Sequence, residues 1–169
     1  DAFDALARLR QPLIAVLDGH VLGGGLELAA CADVRIGEDH IKVGQPETGL
    51  GIIPGWSGTQ RAVRRFGAQT VRRMVVMGET LNATDALALG ILDKVVGRGE
   101  AMSAAECAAS RVLTRGPRAT ELAKMMVNAA EGEERERVLE TLAGTIAAGS
   151  DQLAEGLAAF RDKRKPDFS

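Results

Sequence analysis

Three consecutive glycines and two glutamates are the residues of this sequence whose types and spacing could support chemistry. Gly23, Gly24 and Gly25 interrupt an apolar segment, and Glu27 follows two positions later. At a turn from strand to helix, the first backbone N–H groups are unpaired and lie at the positive end of the helix dipole. Because glycine has no Cβ, a substrate oxygen can approach the Gly24 N–H, which predicts an oxyanion donor. A tight turn packed against a neighbour explains the same glycines and is the commoner use of such a run.

Glu47 is the second candidate carboxylate, and it lies in "GQPETG", twenty residues after Glu27. One predicted helix and two predicted strands separate the two glutamates, a path that can return the chain close to where it left. Two carboxylates beside one oxyanion donor would form a general acid/base pair. Each also has an ordinary alternative: Glu27 as a carboxylate in a first helical turn, and Glu47 as an exposed loop residue. No serine–histidine pairing accompanies His20 or His40.

Composition bounds the class of protein. The chain has 169 residues, 46% of them hydrophobic, and a formal net charge of −2, so it can bury the core of one domain and has no extended basic face for nucleic acid or an anionic membrane. No apolar run approaches the length that a bilayer requires. Cys31 and Cys107 lie far apart in alanine-rich segments, which predicts buried free thiols in a reducing compartment. The two histidines and two cysteines form no zinc-site pattern.

The first half of the chain alternates strands and helices around the candidate residues. Pro12 ends a first helix, "LIAVLDG" is a buried strand, and "LELAACA" is a helix that follows the glycines. "DVRIG" and "IKVG" are predicted to be two strands joined by a hairpin-like reversal. The Gly/Pro-rich loop "QPETGLGIIPGWSG" is apolar enough to line or cover a pocket, through Leu50, Ile52, Ile53 and Trp56.

The second half is predicted to be mainly helical. Gly67, Gly78 and Gly90 each stand where a helix C-cap would place them, and Asn82 is a predicted N-cap. "ILDKVV" is one more strand. Four further helices are expected at about 101–115, 117–131, 134–148 and 151–164, the second beginning at Pro117. We therefore expect an α/β part over residues 1–97 and a helical tail over residues 98–169.

Four segments, taken in order, resemble the enoyl-CoA hydratase/isomerase, or crotonase, family: "QPLIAVLDGHVLGGGLELAACADVRIG", "VGQPETGLGIIPGWSGTQR", "GETLNATDALALGILDKVV" and "EGLAAFRDKRKPDF". The resemblance runs from about residue 1 to residue 168. It implies an α/β spiral of ββα units, here partial and lacking the N-terminal units, followed by a helical region. It also implies trimers or pairs of trimers, with residues 98–169 as the trimerisation region.

The resemblance further implies the reaction and its site. Gly24 is similar to one of the family's two oxyanion donors, and Glu27 and Glu47 match the two glutamates that add water syn across the C2–C3 double bond of an enoyl-CoA. Gly23, Gly55 and Trp56 fall in segments that line the substrate, and Phe160 and Lys163 match tail positions that reach the acyl or CoA part of a neighbouring subunit's site. For the last two, a core phenylalanine and a solvated lysine are equal alternatives. The CoA thioester is the substrate, no metal or redox cofactor is implied, and a cytoplasmic role in fatty acid metabolism is expected.

The sequence departs from the family in two ways. Family members carry a further N-terminal stretch with the second oxyanion donor and most CoA contacts, so we expect this sequence to be the C-terminal part of a longer chain. A short inactive product, or a front half supplied by another chain, are the alternatives. Because one oxyanion donor is worth about 3 kcal/mol, little activity is expected of the isolated chain. Trp56 stands where the family often has a small residue, which predicts an unusual acyl pocket.

Other functions stay open at this point. Isomerisation, dehalogenation and decarboxylation share the oxyanion hole within the family, although the presence of both glutamates favours hydration. A non-catalytic assembly or binding subunit is the alternative from another class. A dinucleotide site is disfavoured because "GHVLGGG" lacks the G-x-G-x-x-G spacing.

Overall fold

The computed structural model describes residues 2–132 and 151–167, apart from the side chains of residues 151–153, 156 and 160. Contacts divide the chain into two compact units, Asp1–Lys124 and Met125–Ser169. The first unit contains both sheets and the predicted catalytic residues. The predicted boundary at residue 97 stays a prediction. Within the described residues, no helix is both long enough and apolar enough to cross a membrane.

A three-stranded parallel sheet forms one layer of the first unit. Its strands, in spatial order, are β1 (Ile14–Leu17), β3 (Val34–Glu38) and β6 (Lys94–Val96). The side chains of β1 alternate, as the period of a strand requires: Ile14 and Val16 pack towards Ala101 and Ala105, whereas Leu17 joins the main core. Both faces of this sheet are therefore covered, as is usual for parallel strands.

A second, mixed sheet consists of β2 (His20–Leu22), β4 (Lys42–Gly44) and β5 (Thr80–Asn82). Strand β2 runs parallel to β4, with Leu22 opposite Gly44, and β5 is antiparallel to β4. The predicted hairpin of "DVRIG" and "IKVG" is wrong, since these segments are β3 and β4 and lie in different sheets. The chain passes from the first sheet into the second after β1 and again after β3. Strand β3 therefore pairs in parallel with β1, and strand β4 pairs in parallel with β2.

The helices connect and cover these strands. They are α1 (Ala2–Ala7), α2 (Gly24–Ala29), α3 (Gln60–Phe66), α4 (Ala68–Val76), α5 (Ala83–Ala88), α6 (Ala101–Leu113), α7 (Pro117–Ala130) and α8 (Asp151–Arg161), with a short 3₁₀ helix at Glu47–Leu50. The predicted C-cap of α3 is confirmed at Gly67, whose φ is 82°, and the Asn82 side chain accepts from the Asp85 N–H as an N-cap. The predicted helix at 134–148 lies outside the described residues.

The core lies between the second sheet and helices α2 to α5. Its largest fully buried side chains include Leu26, Ile41, Met74, Leu81 and Ile91. This packing fixes helix α2 against the strands β2 and β4, and thereby fixes the turn at Gly23 and Gly24. The cysteine prediction is half right: Cys31 is buried, but Cys107 is an exposed free thiol, because α6 covers the first sheet with its alanine face and turns Cys107 outward.

Candidate active site

The glycine run makes a sharp turn between β2 and α2. Gly23 has φ 53° and ψ −123°, a backbone conformation that side chains with a Cβ rarely adopt. Its N–H donates to the Gly44 carbonyl at 2.9 Å, and its own carbonyl accepts from Leu26 and Glu27. Gly24 is the first residue of the helix, and its N–H has no acceptor among the described residues. The turn therefore leaves one backbone donor available at Gly24.

Glu27 is buried, with 3% of its surface exposed, and one of its carboxylate oxygens accepts two backbone hydrogen bonds. Oε1 accepts from the Trp56 N–H at 2.7 Å and from the Gly58 N–H at 2.8 Å. Oε2 is turned towards the glycines, 3.9 Å from the point that a Cβ on Gly24 would occupy. The loop that follows Glu47 thus orients Glu27 and leaves its second oxygen for another partner.

Glu47 is the second buried carboxylate, 8% exposed, and it begins the 3₁₀ helix after Pro46. The parallel pairing of β2 with β4 returns the chain to the glycine turn, so Oε1 of Glu47 lies 3.0 Å from the point that a Cβ on Gly23 would occupy. Oε2 is buried without a hydrogen-bond partner in the described part of the chain. The two predicted carboxylates consequently lie beside consecutive residues, Gly23 and Gly24.

Gly58 and Gln45 hold this arrangement together, and neither was singled out from the sequence. The Gln45 side-chain amide donates to the Gly58 carbonyl at 2.7 Å, while the Gly58 N–H donates to Glu27. A Cβ on Gly58 would lie 2.5 Å from Gln45 Nε2 and 2.6 Å from Glu27 Oε1. Only glycine fits between the two side chains. The sequence signal was the glycine that ends "GWSG", but glycine-rich loops are too common for it to stand out.

Trp56 lies directly over the glycine turn. Its ring carbon Cζ3 is 3.2 Å from the Cβ position of Gly24, and the ring packs edge-on against Phe3 at a centroid distance of 5.5 Å. The side chain is still 58% exposed. Leu50, Ile52 and Ile53 are also exposed, so among the loop side chains expected to line or cover a pocket, Trp56 is the one placed against a site residue. Gly55 is exposed in the same loop.

Arg61 links helix α1 to helix α2 behind the glycine turn through its contacts with Asp4 and Cys31. Its guanidinium is buried, bonds Asp4 Oδ1 at 2.7 Å and approaches Cys31 Sγ at 3.5 Å. The hydrogen bond from Arg61 lowers the pKa of Asp4 below its ordinary value. The Cys31 thiol in turn donates to the Glu27 carbonyl at 3.4 Å. These contacts tie helix α1, which carries Phe3, to the helix that carries Glu27.

Two predicted site residues remain to be placed. Phe160 and Lys163 belong to the second unit, where Lys163 is exposed with φ 53° and the Phe160 side chain lies outside the described set. Their roles stay predictions. A cavity of about 630 Å³ lies elsewhere in the first unit, between the start of β1 and helices α6 and α7, and none of the predicted site residues lines it.

Comparisons with known proteins identify the family. A family model described as enoyl-CoA hydratase/isomerase matches residues 1–169. The crotonyl-CoA hydratase of Syntrophomonas wolfei is 37% identical over 169 residues, which cover 98% of this chain and 65% of that protein. The short-chain-enoyl-CoA hydratase of Clostridium acetobutylicum is 34% identical over 165 residues, covering 96% of this chain and 63% of that protein.

Solved structures agree with the sequence relatives. The structure of Pseudomonas aeruginosa DspI matches with a TM-score of 0.78 at 32% identity, over 99% of this chain and 65% of that one. The enoyl-CoA hydratase of Bacillus anthracis matches with a TM-score of 0.76 at 32% identity, over 98% of this chain and 65% of that one. The chain therefore belongs to the enoyl-CoA hydratase/isomerase (crotonase) family and has its α/β fold, and it spans about 65% of the length of these two proteins.

Proposed function

We propose that this chain carries the acid/base centre of an enoyl-CoA hydratase, which adds water syn across the C2–C3 double bond of an enoyl-CoA thioester. One observation carries the proposal: two buried carboxylates lie beside Gly23 and Gly24, at a turn whose Gly24 N–H has no protein acceptor among the described residues. The names of the Syntrophomonas wolfei and Clostridium acetobutylicum relatives support hydration.

Each group has a defined part in the reaction. Glu27 holds the water with Oε2, since Oε1 is occupied by two backbone N–H groups, and accepts a proton as the water oxygen bonds to C3. The π electrons of the double bond move into an enolate, whose oxygen the Gly24 N–H stabilises. Glu47 delivers a proton to C2, and exchange with solvent resets both carboxyl groups. The product carries a new hydroxyl group at C3 and a new hydrogen at C2, which together account for the one water molecule consumed.

The substrate and the assembly belong to the same proposal. The Trp56 ring over Gly24 narrows the space beside the reacting carbons, which favours a substrate with a short acyl chain.

The polypeptide corresponds to the C-terminal two-thirds of a family member and works as a trimer or hexamer, with the second oxyanion donor outside these residues. Phe160 and Lys163 contact the acyl or CoA part of a neighbouring site, and the enzyme acts on fatty acyl thioesters in the cytoplasm.

Loss of the crotonyl-CoA absorbance tests the reaction. The assay should be run on the 169-residue chain and on a spliced hydratase, defined as the Syntrophomonas wolfei protein whose matching 65% is replaced by this chain. We expect the spliced hydratase to consume crotonyl-CoA and the isolated chain to be much slower. A correctly folded spliced hydratase without measurable turnover would contradict the proposal.

A second function is favoured by the position of Trp56, whose ring covers the Gly24 turn. In this alternative the chain is a non-catalytic subunit that does not bind CoA thioesters. Calorimetric titration of the spliced hydratase with a non-reacting butyryl-CoA separates the two functions. Saturable binding at one site per chain excludes the inert subunit, and absence of binding supports it.

A further inference from the structure

A second cluster of titratable side chains lies at the carboxyl ends of neighbouring parallel strands, apart from the residues of the proposed active site. Strands β1 and β3 pair with Leu17 opposite Gly37, so Asp18 and Glu38, the next residues along, follow side by side. His40 lies in the bend between β3 and β4. One oxygen of each carboxylate and one ring nitrogen of His40 all lie within 4.8 Å of one another.

The ring of His40 is surrounded by acceptors. Its Nε2 lies 2.8 Å from Asp18 Oδ1, and its Nδ1 lies 3.7 Å from both Glu38 Oε2 and Asp39 Oδ1. Nδ1 is buried without a hydrogen-bond partner in the described residues. A carboxylate can only accept hydrogen bonds, and the imidazole supplies at most two N–H donors. Three carboxylates, those of Asp18, Glu38 and Asp39, face this one ring, and a bound cation would offset their excess negative charge.

The buried carboxylate of this cluster is already oriented. The Glu38 side chain is 7% exposed, and its Oε1 accepts from the Gly99 N–H at 2.8 Å, which leaves Oε2 directed at His40. Within the described part of the chain, neither Glu38 nor Asp18 pairs with a lysine or arginine. The Asp18 side chain is 71% exposed and leaves an entry path for an ion.

We propose that Asp18, Glu38 and His40 bind one divalent transition-metal ion, Zn²⁺ being the best fit to one imidazole and two carboxylates. Zn²⁺ bonds of about 2.0–2.2 Å to oxygen and nitrogen place tetrahedral ligand atoms about 3.4 Å apart. The three ligand atoms, which lie within 4.8 Å of one another, therefore draw together on binding, and water fills the remaining position. The ion ties the bend after β1 to the bend after β3. This site is structural and independent of the proposed hydration.

Titration calorimetry with ZnCl₂ alone tests this site. The chain should be free of affinity tags and carry Cys107→Ser, because Cys107 is an exposed thiol and would itself bind zinc. We expect one ion per chain. Asp18→Asn and His40→Gln should each weaken binding roughly tenfold or more. His20→Gln is the matched control, since His20 is the other histidine of the chain, is exposed and lies outside the cluster.

Thermal unfolding gives a second readout, because an ion that binds the folded state raises Tm. Zn²⁺ should raise the Tm of the parent and of His20→Gln, and leave that of Asp18→Asn nearly unchanged. Absence of saturable binding to the parent overturns the proposal, and so does full affinity in Asp18→Asn. The exposed position of Asp18 makes this variant decisive even where His40→Gln fails to fold.

Discussion

Replacing Gly58 by alanine tests how the proposed acid/base centre is positioned. The added Cβ would lie 2.5 Å from Gln45 Nε2, 2.6 Å from Glu27 Oε1 and 2.6 Å from Pro54 Cβ. Real Cβ atoms do not approach heavy atoms so closely, so the Glu27 carboxylate or the loop must move. The same residue donates its N–H to Glu27 and accepts from Gln45. Any movement therefore changes the orientation of Glu27.

The expected effect has two parts. Overpacking of a buried position costs about 1–3 kcal/mol of unfolding free energy, which for a domain of this size lowers Tm by about 2–4 °C per kcal/mol. Displacement of a catalytic group by an ångström reduces turnover on the order of 10²-fold. A 10²-fold loss of turnover corresponds to about 2.7 kcal/mol of barrier, which is similar in size to the loss of stability. Both the turnover and the Tm of Gly58→Ala should therefore fall.

Gly55→Ala is the matched control, since among the described residues a Cβ there meets only the Ile53 carbonyl, at 4.0 Å. The spliced hydratase carrying each variant would be compared by crotonyl-CoA turnover and by thermal unfolding. Gly55→Ala should retain the parent's Tm. Parent-like turnover and Tm in Gly58→Ala would refute the positioning of Glu27 by this glycine.

Three further outcomes are expected. Trp56→Ala should raise kcat/KM for octenoyl-CoA relative to crotonyl-CoA by about tenfold or more, and an unchanged substrate profile would remove Trp56 from the acyl pocket. Asn82→Ala should cost about 1 kcal/mol of unfolding free energy through loss of the cap on α5, measured by urea denaturation. The Arg164 guanidinium and the Asp167 N–H lower the pKa of Glu155 from 4.5 to about 2. The ionised Glu155 therefore stabilises the folded state above pH 4.5, and this contribution is lost as the pH falls towards 2. NMR titration of Glu155 should show its pKa rising in Arg164→Gln, and an unchanged value would contradict this pairing.

Local patterns in the sequence predicted many of the elements. The glycine caps, the Asn82 cap and the start of α7 at Pro117 are confirmed because each depends on a few neighbouring residues. The strands β2 and β5 were missed because each joins directly onto a feature that was predicted there instead: β2 runs into the glycine turn and β5 into the Asn82 cap. The reversal between β3 and β4 was wrong because sequence alternation does not distinguish a hairpin from a bend into another sheet.

The residues of the candidate site also divide into those that the sequence predicted and those that it did not. Gly23, Gly24, Glu27 and Glu47 were predicted from residue type and from the family resemblance, and the structure places them around one turn. The clamp at Gly58 arises from the packing of three separate segments, so no local pattern encodes it. The Asp18, Glu38 and His40 cluster was missed for a similar reason: strand register brings together residues of common types.

Turnover by Glu27→Gln and Glu47→Gln variants of the spliced hydratase tests the central claim most directly. Glutamine keeps the shape of each side chain and removes its acid/base function. Glu106→Gln is the control, because Glu106 is exposed on α6. The proposed mechanism predicts that each active-site variant loses at least about 10²-fold in kcat while Glu106→Gln stays fully active. Full activity in both active-site variants would mean that the two glutamates only shape the glycine turn.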